Sequence, residues 1–278
     1  MSETHTMRQR FAAQSVIEVL LLEQSLVPPR SRFARIVGRS PLGGESMPWY
    51  LGAQGEIAVA RLLTGLPGGW AVFHAVPVRT RECDIDHLLV GPAGVFTITT
   101  KLHRSAKIWV AHRTLMVGRD KRPYIRDAEF EAHRLTRMLR DLTPLRTSVR
   151  PVVAFVDPRR ITIRERPAQV KVINAADLRH WLTTLPTVLG PVERMALVTL
   201  IDSPETWSAL PAIEPDELRE RFLLLDEAVR GARRRRIGWG MLGAALIGAA
   251  LTLVVVSSLL GGWPAELASC TGQKSFMR

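Results

Sequence analysis

Residues 82–101, ECDIDHLLVGPAGVFTITTK, read as two strands and the tight loop between them. Gly91, Pro92, Ala93 and Gly94 are turn-formers, and the run that follows is rich in β-branched residues, which suit a pleated surface. Side chains alternate faces along a strand. Asp84, Asp86, Leu88 and Val90 are therefore expected on one face, and Ile85, His87 and Leu89 on the other. On the second strand Val95, Thr97, Thr99 and Lys101 share a face. If Asp86 and Lys101 lie on the same side of the hairpin, a carboxylate and an ammonium meet at one end of a sheet. Such a pair can hold a divalent cation and a phosphate. Strand periodicity by itself favours the plainer account, a hairpin with polar ends.

Working outward, residues 55–63 (GEIAVARLL) read as a helix, and residues 70–78 as a strand feeding the hairpin. The order GE, DIDH, GPxGVF and then Lys101 resembles the nuclease-related domain (NERD) family, which is grouped with the PD-(D/E)xK nucleases. The resemblance spans about residues 49–156. It implies an α/β fold of the restriction-endonuclease type, a mixed sheet flanked by helices. It implies Glu56 and Asp86 as metal-binding acids and Lys101 as the third catalytic residue; Asp84, on the same expected strand face as Asp86, is a further candidate metal ligand. Mg²⁺ or Mn²⁺ is the implied cofactor and nucleic acid the implied partner.

One position departs from that pattern. Thr99 stands where the family carries an acid two residues before the lysine. A neutral hydroxyl is a poor substitute for a carboxylate at a hard cation. Two readings stay open. One is metal-dependent phosphodiester hydrolysis, the metal acidifying a bound water while Lys101 orients it or stabilises charge. The other is a degenerate module that binds or scaffolds without cutting. His87 is expected opposite Asp86, and a buried, hydrogen-bonded histidine describes it better than a general base.

At 278 residues and 46% hydrophobic, the chain is long enough for one large domain or two small ones. The net charge of +12 favours polyanionic partners, either nucleic acid or anionic lipid. The charge is clustered: Arg30, Arg32, Arg35 and Arg39; a second group from His103 through Lys107, Arg113, Arg119, Lys121 and Arg122 to Arg126; and a block at residues 233–236. The second group reads equally as a phosphate track or a solvated basic face. Two cysteines, Cys83 and Cys270, offer neither a zinc pattern nor a disulfide framework.

In chain order, residues 1–9 are polar and expected to be disordered. Residues 10–27 read as an amphipathic helix and residues 30–48 as a basic linker. The first domain helix covers residues 49–63, and a second hairpin covers 107–117, turning at His112-Arg113. Trp109 in that hairpin is read as packing rather than as a base-stacking platform. Residues 127–142 form a helix with Asp127 as N-cap, and 149–156 an apolar strand. A short strand (170–173) and two helices (174–185, 192–201) extend the domain through residue 202. Residues 203–236 read as a linker followed by a juxtamembrane helix.

Residues 237–260 carry no charge and are dense in Leu, Val, Ala and Gly. As a helix they would be about 36 Å long, enough to cross a hydrocarbon core of about 30 Å. Four consecutive arginines precede this span, while Lys274 and Arg278 follow it. Basic flanks stay cytoplasmic, so the N-terminal part is expected in the cytoplasm and residues 261–278 outside. The sequence leaves the oligomeric state open.

Overall fold

A computed structural model describes residues 6–77, 84–145, 147–207 and 215–260. Five strands form the main sheet: β1 (Ala71–Val76), β2 (Ile85–Gly91), β3 (Gly94–Leu102), β7 (Val149–Val156) and β9 (Lys171–Asn174), in the order β1-β2-β3-β7-β9. The first two pairings are antiparallel and the last two parallel, so the sheet is mixed. A second sheet, in the order β6-β5-β4-β8, comprises β4 (Lys107–Ala111), β5 (Thr114–Val117), β6 (Asp120–Arg122) and β8 (Arg160–Glu165). The fold is α/β, with two sheets and flanking helices.

The two glycines around the hairpin turn are there for different reasons. Gly94 has φ +120°, a conformation that side chains disfavour. Gly91 lies flat against Trp70, and a Cβ there would sit 2.3 Å from the indole ring. The turn between them pairs Gly91 with Gly94 and carries the register down to His87 opposite Ile98.

Helices cover the main sheet on both sides. Helix α3 (Ser46–Leu63) lays Val59 and Leu63 against Leu89, Phe96, Ile98, Val152 and Ala154. Helix α5 (Leu178–Thr184) adds Leu178 and Leu182 to the same cluster. On the other side, α4 (Tyr124–Leu142) and α6 (Pro191–Asp202) cover Phe73, Leu88, Val90 and Val95. The second sheet buries Ile108, Val110 and Leu115 against Ile125 and Ala128 of α4 and Val153 and Phe155 of β7.

Several sequence expectations need correction. Alternation predicts Ile85 on the face opposite Leu88, yet both belong to one buried cluster. Ala75 on the neighbouring strand has φ +47°, and the β1–β2 register passes from His74–His87 to Val76–Ile85 without an Ala75–Asp86 pair. That irregularity resets the faces. Helix α4 begins at Tyr124 behind Pro123, three residues before the expected Asp127 cap. Residues 7–9 form a 3-10 turn that buries Met7 completely, because its side chain fills the core cluster beside Phe73. The basic linker contains a short helix α2 (Arg32–Ile36), capped by the Ser31 hydroxyl. Trp109 lies on the sheet face rather than in the core, with 36% of its surface exposed. The positions of Cys83 and of residues 261–278 lie outside the described residues.

The first compact unit comprises Met1–Pro28 and Leu42–Asp226, the second Pro29–Pro41 and Glu227–Arg278. Helix α1 (Gln14–Ser25) belongs to the first. The last helix, α7 (Pro215–Leu260), includes a stretch long and apolar enough to cross a membrane. Its large apolar residues from Ile237 to Val256 are exposed, as lipid-facing side chains would be. Within the second unit, the Trp239 indole N–H donates to the Ile36 carbonyl at 2.9 Å.

Candidate functional site

Past the His87–Ile98 pair, β2 and β3 are no longer registered with each other. The Thr100 N–H would otherwise lack its neighbouring strand, and the Asp86 carboxylate accepts it at 2.6 Å. Asp86 is thus placed by a gap in the ladder that its own side chain fills. Helix α3 reaches the same rim because Gly55 lets it approach closely. A Cβ on Gly55 would lie 3.2–3.3 Å from Leu102 and Thr100. Glu56, the next residue, is buried at the rim, and its carboxylate accepts the N–H of Ala13.

Lys101 brings its ammonium over the Tyr124 ring, 4.9 Å from the centroid, a cation–π contact. Its charge acts on Glu56, Asp86 and Glu131 alike. Glu56, Asp86 and Lys101, distant in sequence, are therefore electrostatic neighbours. Asp84 also bears on Glu56 and Asp86. Its carboxylate accepts the Ser15 hydroxyl and lies 3.6 Å from the Arg10 guanidinium.

Thr99 does not stand alone. Its hydroxyl donates to Glu131 on α4 at 3.0 Å. The sequence reading missed Glu131, although a signal was available. Position 131 falls three residues after Ala128 and four before Leu135, both buried, so it lies on the buried face of an amphipathic helix. A carboxylate there calls for an explanation.

Burial governs the acids' titration. It pushes Glu56 well above the usual carboxylate range, and the nearby Asp86 charge adds to this; Lys101 and the Ala13 N–H oppose it. Asp86 is also raised by burial, against Lys101 and the Thr100 N–H. Burial and then Asp86 raise Glu131 to about 7, against the Thr99 hydrogen bond and Lys101. Buried carboxylates crowded together favour their neutral forms.

His87 takes no part in this cluster. It is fully buried, and its Nδ1 lies 2.8 Å from Nδ1 of His74 on β1. Burial and then His74 hold His87 well below the ordinary histidine range, and burial lowers His74 to about 4. Both rings are therefore neutral. His87 Nε2 has no partner among the described residues. A bare lone pair there costs less than an orphan N–H, so we assign His87 as the donor through Nδ1.

The N-terminal segment, absent from the sequence-based site, supplies donors to two of these acids. Ala13 adopts a left-handed conformation (φ 65°) and directs its N–H at Glu56. Ser15 holds Asp84, and Arg10, only 6% exposed, donates to Ser15 at 2.7 Å. Each candidate acid thus has a protein donor: Ala13 for Glu56, Thr100 for Asp86, Ser15 for Asp84 and Thr99 for Glu131. Among the described residues no three His, Cys, Asp or Glu side chains are grouped so as to hold a metal ion. The acids feel one another's charge without converging into a coordination shell. The donors take up part of each carboxylate's accepting capacity: Asp86 receives Thr100 on one of its two oxygens.

No curated protein and no solved structure matches the chain. Residues 51–156 match the family model of the nuclease-related domain, less than half of the chain. That segment contains Glu56, Asp84, Asp86, Thr99, Lys101 and Glu131, and none of Arg10, Ala13 and Ser15. The part of the chain that carries the acids is thus similar to the nuclease-related domain family, and the part that covers them lies outside the similarity.

Proposed function

We propose that the chain is a membrane-tethered binding module built on a nuclease-like fold whose cleft does not turn over phosphodiesters. The observation that carries this reading is the protein donor on each candidate acid, three of them brought together by Ala13, Ser15 and Thr99. The apolar end of α7 supplies the tether. The arginines at 233–236 favour a cytoplasmic location for the residues before the span, and they attract anionic headgroups by about 1 kcal/mol each.

A second reading, hydrolysis with Mg²⁺ or Mn²⁺, is favoured by one observation. Glu131 brings a carboxylate beside Thr99, the position where the acid is missing.

One preparation tests both the chemistry and the topology. Inverted membrane vesicles carrying the full chain should leave labelled single- and double-stranded DNA and RNA uncut in millimolar Mn²⁺. Protease should trim the N-terminal part in these vesicles and spare it in right-side-out ones. Cleavage that disappears in Asp86→Asn would establish the hydrolytic reading instead. Protection in the inverted vesicles would reverse the orientation.

A further inference from the structure

We propose that the outer face of the β6-β5-β4-β8 sheet is a binding surface for single-stranded nucleic acid. This rests on the binding-module reading and gives that module its partner and its contact surface. The inner face of the sheet is conventional, with Ile108, Val110 and Leu115 fully buried. Alternation then puts Lys107 and Trp109 of β4 outward. The register carries this face across the sheet: Trp109 pairs with Met116 of β5 and Thr162 of β8, Lys107 pairs with Arg160, and Met116 pairs with Lys121 of β6. Trp109 therefore sits on an interior strand with neighbours on both sides, yet 36% of its surface remains exposed.

Cations surround that ring. Lys107, Arg160 and Lys121 share its face in register and are exposed, and Arg164 is exposed at the irregularity where the β4–β8 register shifts. Cross-strand spacing of about 4.8 Å and about 6.6 Å between alternate residues puts the in-register cations within roughly 10 Å of Trp109. None of the four is in an ion pair among the described residues. The acids nearby are placed elsewhere. Asp120 pairs in register with Val117, on the opposite face, and lies 3.5 Å from Arg122. Glu165 lies past the irregularity, opposite Ala111.

Arginines on the edge strand β8 are by themselves ordinary protection against edge-to-edge pairing. That does not account for an exposed tryptophan on β4. A π-face flanked by unpaired cations is complementary to an unstacked base flanked by phosphates. A duplex presents its phosphates but keeps its bases stacked, so the ring selects the single strand. An anionic lipid surface would satisfy the cations too, and the experiment separates it.

The full chain, in nanodiscs of zwitterionic lipid, is titrated with fluorescein-labelled oligothymidine of about 20 nucleotides and followed by anisotropy. Trp109→Ala should weaken binding about tenfold, while Trp109→Phe, which keeps a ring, should stay within about threefold of wild type. Lys107→Ala with Arg160→Ala should lower the salt slope of log K by about 1.4, from about 0.7 per phosphate contact on a single strand. A duplex of the same length should bind more weakly. Binding unaffected by all three variants would overturn the surface while leaving the module reading intact. Complete absence of oligonucleotide binding would overturn the partner, again without restoring hydrolysis. If anionic nanodiscs alone shield the Trp109-dependent fluorescence from iodide, the surface faces lipid and the proposal fails.

Discussion

Glu131→Gln should raise the thermal midpoint of the folded domain at pH 8 and leave it nearly unchanged at pH 4. Glu131 has an ordinary value of 4.5 and is raised to about 7 in the fold. The native state therefore prefers the neutral acid. Its contribution is intact below about 4.5 and is lost as pH rises through about 7. The loss reaches about 3 kcal/mol above both values, each pKa unit being worth about 1.4 kcal/mol. Glutamine can still accept the Thr99 hydroxyl and never ionises, so it removes this loss. For a domain of this size the gain at pH 8 corresponds to roughly 10 °C. Glu56 and Asp86 are raised as well, so part of the wild-type decline should persist in the variant. Thermal scans of both proteins from pH 4 to pH 8 make the comparison. Parallel curves would show that Glu131 is not held as a buried acid.

Phe96→Ala should cost about 3–5 kcal/mol, a large fraction of the roughly 5–15 kcal/mol that holds a domain folded. Phe96 is fully buried on the central strand β3. Its ring lies 5.9 Å from Trp70 and meets Trp181 edge-on at 5.8 Å, and the Arg150 guanidinium lies 5.0 Å from its centroid. Trp70 in turn covers Gly91. The cavity left by alanine would therefore loosen both the hairpin turn and the contact with α5. Denaturant unfolding of the full chain in detergent reads the change. A loss below about 1 kcal/mol would mean the aromatic cluster collapses around the gap. The phenylalanine of GPxGVF is thus a packing residue, part of why that motif marks the fold rather than the chemistry.

What could be read from the sequence follows what has a period. The hairpin, α3, α4 and the apolar end of α7 each repeat their pattern over enough residues to be seen. Strands β6 (DKR) and β8 (RITIRE) do not, since each is short and mostly exposed and exists only through its pairing partner. The face assignment along β2 fails at one residue, Ala75, whose positive φ lies on a different strand. Whether Trp109 lies in the core or on a sheet face has no sequence signal, and the register places it on the outer face of the second sheet.

Part of the candidate site carries a sequence signal. Glu56, Asp86 and Lys101 are named by residue order, and the structure places them as electrostatic neighbours. The donors that occupy the acids could not be read. The Ser15–Asp84 contact spans 69 positions, and the Ala13–Glu56 contact uses a backbone N–H, which carries no side-chain identity. The buried Arg10 is telling here. Its Nε and Nη1 have no partner among the described residues, an arrangement that costs free energy.

On the proposed reading, protein donors and not a cation satisfy these carboxylates. Mn²⁺ binding to the full chain, followed by loss of the free-ion electron paramagnetic resonance signal, tests it most directly. No saturable binding is expected up to millimolar Mn²⁺ at pH 7, and no difference between wild type and Asp86→Asn. A stoichiometric site of micromolar affinity that Asp86→Asn or Glu56→Gln abolishes would contradict it.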